Sequence, residues 1–200
     1  MRFQSEKVKI VRKTWHILAG LFFPIIYLYL TKPQIIILVG AVFLTFLTLE
    51  GLRLRNPKLN RWFIKKIGNY LKDKERKNLT SNTFYVASAL LAVIFFDKPI
   101  AIAALVFFAI GDAMAEIIGL KFGSYRFWHN RSIEGTLAFL VSSILAGILL
   151  LQTDLNITFP VMISGAIGAT LIEAVSLPID DNFTIALFSG LVMSMASLVF

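Results

Sequence analysis

The chain reads as an all-α, polytopic integral membrane protein with about seven transmembrane helices and one amphipathic interfacial helix. Three observations lead there. Of its 200 residues 57% are hydrophobic, its mean hydropathy is +0.75, and its 20 lysines and arginines fall into clusters separated by apolar runs. A chain of 22.4 kDa with this make-up is expected to form a single membrane domain, 1–200. The absence of cysteine rules out a disulfide framework and a thiolate-bound metal. A formal net charge of +8, set beside so much apolar sequence, points to anionic membrane lipids and phosphate-bearing ligands rather than nucleic acid.

The elements follow in order. The basic start, 1–13, runs into a first apolar segment at 15–30 without a small-residue cleavage site, so this segment is expected to stay as a helix. Further apolar segments lie at 34–49, 82–96, 99–120, 135–151, 159–177 and 183–200. Crossing about 30 Å of hydrocarbon takes about 20 helical residues, so the shorter ones need snorkelling flanks or a locally thinned bilayer. Threaded alternately with the N-terminus inside, the inner segments are 1–14, 50–81, 121–134 and 178–182. Eighteen of the 20 Lys and Arg then lie inside, and only Lys32 and Lys98 outside. That asymmetry sets the orientation by the positive-inside rule, with the N-terminus cytoplasmic. Within 50–81, apolar residues recur at 59, 62, 63, 67, 70 and 71 opposite a Lys/Arg face. This is helical spacing for a helix lying in the interface over about 57–72.

Polar residues that border the apolar segments are the candidates for chemistry. Asp112, Glu116 and Gly119 stand at i, i+4 and i+7, so they share one helix face. Two carboxylates one turn apart in a membrane helix repel unless a cation lies near them, and hard oxygen ligands suit Mg²⁺ bridged to substrate phosphates. Gly119 and Gly123 flank Lys121, a pattern for backbone amides approaching phosphate. No GxxxxGK[ST] occurs, so this is not a P-loop. Ser132 and Glu134 suit a helix N-terminus, which with Arg131 beside it is also an anion site. Arg12, Lys13 and His16 cluster where the first helix enters the membrane. Glu50 and Arg53 are spaced for an ion pair, Thr80 for a cap, and Asp180-Asp181-Asn182 for a turn. Glu75 and Glu173 have no such ordinary explanation. All these acids fall inside under a topology chosen from Lys and Arg alone, whereas Asp97 and Asp154 fall outside.

With these residues in view the chain resembles the CTP-dependent lipid kinases, which include yeast-type diacylglycerol kinase, dolichol kinase and phytol kinase. The resemblance runs over most of the chain. It rests on Arg12-Lys13 with His16, Glu50 with Arg53, Glu75 with Leu79-Thr80, and Asp112-Ala113 through Gly119 and Phe122-Gly123. Ser132-Ile133-Glu134-Gly135-Thr136 and Glu173 with Asp180-Asp181-Asn182 complete it. Ser81 stands where the family usually has Gly, and Arg131 where Lys commonly precedes the Ser-x-Glu-Gly motif.

The resemblance implies transfer of the γ-phosphate of CTP to a lipid alcohol, with Mg²⁺ or a similar divalent cation. The acceptor would be diacylglycerol, a polyprenol such as dolichol, or phytol or geranylgeraniol. On that basis Asp112 is the principal metal ligand or base, supported by Glu116. Gly119, Lys121 and Gly123 shape a phosphate loop, with Thr80, Ser132 and Glu134 on the nucleotide. Arg12, Lys13 and Arg131 neutralise phosphate, while Glu173, Asp180 and Asp181 complete the metal shell or hold the basic residues. His16, Glu50, Arg53, Glu75 and Asn182 support the site. A short chain without an added domain points to a microbial plasma membrane. A cytidylyltransferase making a CDP-lipid shares these needs. A carrier would require polar groups at mid-membrane and access from both faces, and a scaffold has no use for Asp112 beside Glu116.

Overall fold

The computed structural model describes residues 6–68, 70–127, 131–175, 177 and 179–200, with side chains from residue 14 onward. The side chains of Arg12 and Lys13 and the whole of Pro178 lie outside the described residues. Every named element is helical: α1 (Glu6–Tyr29), α2 (Lys32–Arg55), α3 (Pro57–Ile67), a 3-10 turn (Asp73–Arg76), α4 (Ser81–Phe95), α5 (Lys98–Phe122), α6 (Ile133–Leu150), α7 (Phe159–Val175) and α8 (Asp181–Ala196).

α5 is the axle. A helix that is apolar all round belongs in the centre, and residues 100–109 of α5 are buried on every side. It packs against α1, α4, α6, α7 and α8. Alanines at 101, 103, 104, 109, 113 and 115 keep it slim enough for that many neighbours. α2 lies outside this group, on α4 and α3. The core is aromatic around α5, with Phe107, Phe108 and Phe139 fully buried.

By length and composition α2, α5 and α6 are each able to cross a membrane. Residues 14–29 of α1, together with α4, α7 and α8, are shorter apolar helices. The seven expected segments therefore all exist as helices, three of them of spanning length by themselves. Their surfaces carry large apolar side chains outward, such as Phe22, Ile37, Leu44, Leu145 and Leu191.

Local signals set the ends. Pro33, Pro57 and Pro99 open α2, α3 and α5 where a missing N–H costs nothing. Asn56 accepts from the amides of Lys58 and Leu59 to cap α3. The surface helix stops at Ile67, five residues short of the expected end, because the chain turns there to bury Leu71. No residue of α3 is buried, and Leu59 and Trp62 are exposed beside Lys58, Arg61, Lys65 and Lys66. Lys7, Lys9, Arg12 and Lys13 fall within α1 rather than preceding it.

A buried staple ties the 56–80 connection to the bundle. Arg53 is ion-paired to Glu50, and its guanidinium also donates to the carbonyls of Glu75 (3.2 Å) and Asn78 (2.8 Å) and to Asn60 Oδ1 (3.0 Å). Thr80 Oγ1 donates to the other oxygen of Glu50 at 3.0 Å. Glu75 accepts from the amides of Lys72 (2.6 Å) and Ser81 (2.8 Å). The acid without an ordinary explanation in the sequence thus closes a turn and caps α4.

Candidate active site

The helices alternate in direction, so the N-termini of α4, α6 and α8 meet at one end of the bundle with the C-terminal part of α5. They enclose a cavity of about 840 Å³. Its lining includes Thr80 and Ser81 from α4, Ser132, Gly135 and Thr136 from α6, and Asp181 and Asn182 from α8. Each helix N-terminus carries a partial positive charge, and three facing one space make it attractive to a polyanion.

The caps that create these ends are explicit. Ser132 Oγ accepts from the Gly135 amide at 3.1 Å. Asp180 Oδ1 accepts from the Asn182 amide at 3.3 Å. The other oxygen of Asp180 takes Lys74 Nζ at 3.0 Å and Ser81 Oγ at 3.2 Å, while Asn182 Nδ2 donates to the Ser81 carbonyl at 3.0 Å. Asp180 and Asn182 therefore latch α8 to α4. Asp180 is buried behind the cavity wall rather than lining it.

Acids from three helices face the cavity. Asp112 and Glu116 come from α5, Glu173 from the last turns of α7 and Asp181 from the start of α8. Asp112 Oδ2 is 3.3 Å from His16 Nε2 of α1, whose ring stands edge-on to Phe108 at 5.0 Å. Arg131 bridges the other two: one guanidinium nitrogen lies 2.7 Å from Glu173 Oε1, the other 2.5 Å from Asp181 Oδ2. Thr136 Oγ1 reaches Glu173 Oε2 at 3.5 Å. The charges of Asp112, Glu173 and Asp181 act on one another across the space.

These donors bear on a metal. Among the described residues no three His, Asp or Glu side chains stand close enough to hold an ion by themselves. Mg²⁺ usually takes only one or two carboxylates and completes its shell with water and substrate phosphates. Asp112, with Glu173 or Asp181 across the cavity, fits that partial set. A cage made wholly of protein does not.

Of the residues singled out in the sequence, His16, Glu75, Thr80, Asp112, Glu116, Gly119, Arg131, Ser132, Glu173, Asp181 and Asn182 all line this cavity. Lys121 does not: its ammonium lies 5.2 Å over the Phe122 ring on the exposed end of α5. Gly119 is not in a loop, since α5 runs on to Phe122 and the Gly123 amide bonds the Gly119 carbonyl at 3.2 Å. Its lack of a side chain serves packing. A Cβ there would meet Ser132 Oγ at 3.0 Å, and one on Gly135 would meet the Ala115 carbonyl oxygen at 2.9 Å. These two glycines let α5 and α6 cross where the site is built. Gly123 lies beyond the cavity lining, and Glu134 accepts from the Ser124 amide at 2.9 Å, holding the same turn. Glu50 and Arg53 stand apart in their staple.

Lys72 and Arg126, which no spacing in the sequence marks, also line the cavity. Arg126 pairs with Ser132 in a short antiparallel bridge between α5 and α6. Neither residue stood out among so many surface cations. Trp15, Ala19, Ile67, Tyr70, Leu71 and Leu120 form an apolar part of the wall.

The chain matches no family model, and no solved structure matches it. It is 30% identical over 182 residues to an uncharacterized protein of Rickettsia prowazekii, the alignment spanning 88% of each chain. It is 28% identical over 210 residues to a chloroplastic farnesol kinase of Arabidopsis thaliana, covering 92% of this chain and 64% of that one, so it spans a little under two thirds of that relative. It is 26% identical over 202 residues to CTP-dependent diacylglycerol kinase 1 of Schizosaccharomyces pombe, covering 93% of this chain and 92% of the relative. Apolar helices of spanning length, a polar cavity among helix N-termini and this set of relatives agree: the chain belongs to the CTP-dependent lipid kinase family.

Proposed function

We propose that the protein transfers the γ-phosphate of CTP to the hydroxyl of a membrane lipid alcohol, at the cytoplasmic face of a membrane it crosses seven times. The observation that carries this reading is the meeting of three helix N-termini with Asp112, Glu173, Asp181 and Arg131 at one cavity in an apolar bundle. Relatives named farnesol kinase and CTP-dependent diacylglycerol kinase support the acceptor class, and the second supports the donor. The excess of Lys and Arg in the segments at this end supports a cytoplasmic orientation.

Phosphoryl transfer asks for positioning and charge neutralisation more than covalent chemistry. In this reading the helix N-termini, Arg131, Arg126 and Lys72 hold the triphosphate. Arg12 and Lys13 add charge from the start of α1. The acceptor oxygen bonds to the γ-phosphorus, the bond to the bridging oxygen breaks, and CDP leaves with that oxygen. The hydroxyl proton passes to a carboxylate of the Asp112, Glu173 and Asp181 group, where His16 steadies Asp112. A bound Mg²⁺ would neutralise phosphate charge, held by Asp112 with Glu173 or Asp181.

The test is incubation of the purified protein with Mg²⁺, a panel of lipid alcohols and of lipid phosphates, and CTP labelled in either the α- or the γ-phosphate. Label in the lipid from γ-CTP alone is the expected result. Label from α-CTP means a cytidylyltransferase, and no transfer from either removes the proposal.

A further inference from the structure

The cavity is not uniform, and its apolar part has a distinctive position. Trp15, Leu120 and Tyr70 line it, yet they are 67%, 52% and 45% exposed on the outside of the protein. Ala19 lines it and is exposed as well. Residues that face both a cavity and the exterior mark an opening. That opening is framed by the start of α1, the end of α5 and the chain just after α3.

What lies outside it is set by α1. Trp15, Leu18, Phe22 and Ile25 are all at least half exposed, at spacings that place them on one helix face. A continuous apolar face on a helix of this kind meets acyl chains, so the opening gives onto the bilayer interior rather than water. The inner end of the passage is short. His16 follows Trp15 directly, and its Nε2 is 3.3 Å from Asp112. Beyond Ala19 the way is closed: a Cβ on Gly20 would come 2.7 Å from Ala109 Cβ, and Tyr85 Oη donates to the Gly20 carbonyl at 2.7 Å. α1, α4 and α5 are sealed together there.

We infer that the acceptor alcohol enters sideways from the bilayer between α1 and the end of α5, passing Ala19, Trp15 and Leu120, and that its tail stays outside in the membrane while its hydroxyl reaches Asp112. The inference rests on the phosphotransfer reading and adds the route and its consequence. With the bundle sealed at Gly20, the protein grips only the hydroxyl end of the lipid and does not measure the length of the tail.

Ala19→Trp narrows the opening from an exposed position, so the fold tolerates it. Leu18→Trp adds bulk beside it, on the part of α1 that does not line the cavity. Ala19→Trp is expected to lower kcat/KM for a long-chain prenyl alcohol by at least about tenfold, the scale of a steric mismatch in an apolar pocket. It should lower kcat/KM for a short, water-soluble prenyl alcohol by a clearly smaller factor, and Leu18→Trp should change neither. Equal losses for both alcohols, or no loss for the long one, would overturn the route. A long-chain alcohol with a photoreactive tail should also label peptides containing Trp15 or Leu120, and labelling confined to α6, α7 or α8 would equally overturn it. If the unaltered protein phosphorylates no alcohol, the phosphotransfer reading fails while the labelling still decides the route.

Discussion

Charge is handled differently at the two ends of the bundle. At the end away from the cavity, Lys98 donates to the carbonyls of Leu28 (2.9 Å) and Leu30 (3.0 Å), and Lys32 to the carbonyl of Phe96 (3.0 Å). Both cations are used by the last carbonyls of neighbouring helices, α1 and α4. At the cavity end the charges meet one another: Arg131 joins Glu173 to Asp181, and Asp112 meets His16. Cations at helix C-termini stabilise the helices they touch and need no substrate. Several carboxylates and an arginine gathered around one open space stand where charge-assisted bonds to a phosphate and a cation can form. The difference says that charge placement alone does not mark a site. What satisfies the charge does.

The sharpest way to break this comparison is Asp112→Asn. If Asp112 holds the metal or the proton, the substitution should cut lipid phosphorylation by about 10²–10⁴-fold, the usual range for a positioned acid or base. Thermal unfolding in detergent should barely change, because the amide keeps the side chain's shape. Near-normal turnover in that variant would move the chemistry elsewhere in the cavity.

Arg53→Ala asks the converse at a buried ion pair, Arg53 with Glu50, that the structure gives an architectural part. It leaves Glu50 unpaired inside the protein and frees the carbonyls of Glu75 and Asn78. Breaking a buried pair from one side costs about 3–5 kcal/mol. The unfolding midpoint should fall accordingly, while the protein that remains folded keeps its KM for CTP. A changed KM with unchanged stability would bring Glu50 and Arg53 into the site.

Arg131→Ala lies between the two. It strands Glu173, whose side chain is 1% exposed, so a loss near the lower end of the same range, about 3 kcal/mol, is expected. Adding Glu173→Gln removes the stranded charge and should recover most of that stability but not the activity. Failure of the double variant to recover stability would mean that Arg131 works through Asp181 instead.

The helices were legible because an apolar run is a one-dimensional signal, and so were the acids, which stand out against hydrocarbon. Partners were harder to read. Arg131 and Asp181 meet across 50 positions of chain, and no local spacing announces such a pair. Gly119 looked like part of a loop because Gly-x-Lys-x-Gly is loop-like composition, but its helix continues and the space goes to α6. Lys72 and Arg126 were lost among the many basic residues that anchor this end. Glu75 drew notice as an acid without an ordinary explanation. Its part in capping α4 across the 3-10 turn depends on a bend that no periodicity encodes.

The smallest effect is expected at the far end, where Lys98→Met keeps the apolar stem and removes only the ammonium. Two carbonyl contacts at the end of α1 and the approach of Nζ to the Tyr27 ring, 5.3 Å from its centroid, would go. Contacts of this kind at a helix C-terminus are worth about 0.3–1 kcal/mol. The released carbonyls sit at a helix end, where headgroups or water replace the lost donor. Stability in detergent should therefore drop by about 1 kcal/mol or less, and kcat/KM for both nucleotide and lipid should stay the same. Loss of activity without loss of stability would be more informative than the expected result. It would mean that the two ends are coupled through α1, which runs from the Lys98 contacts back to His16 and the opening beside it.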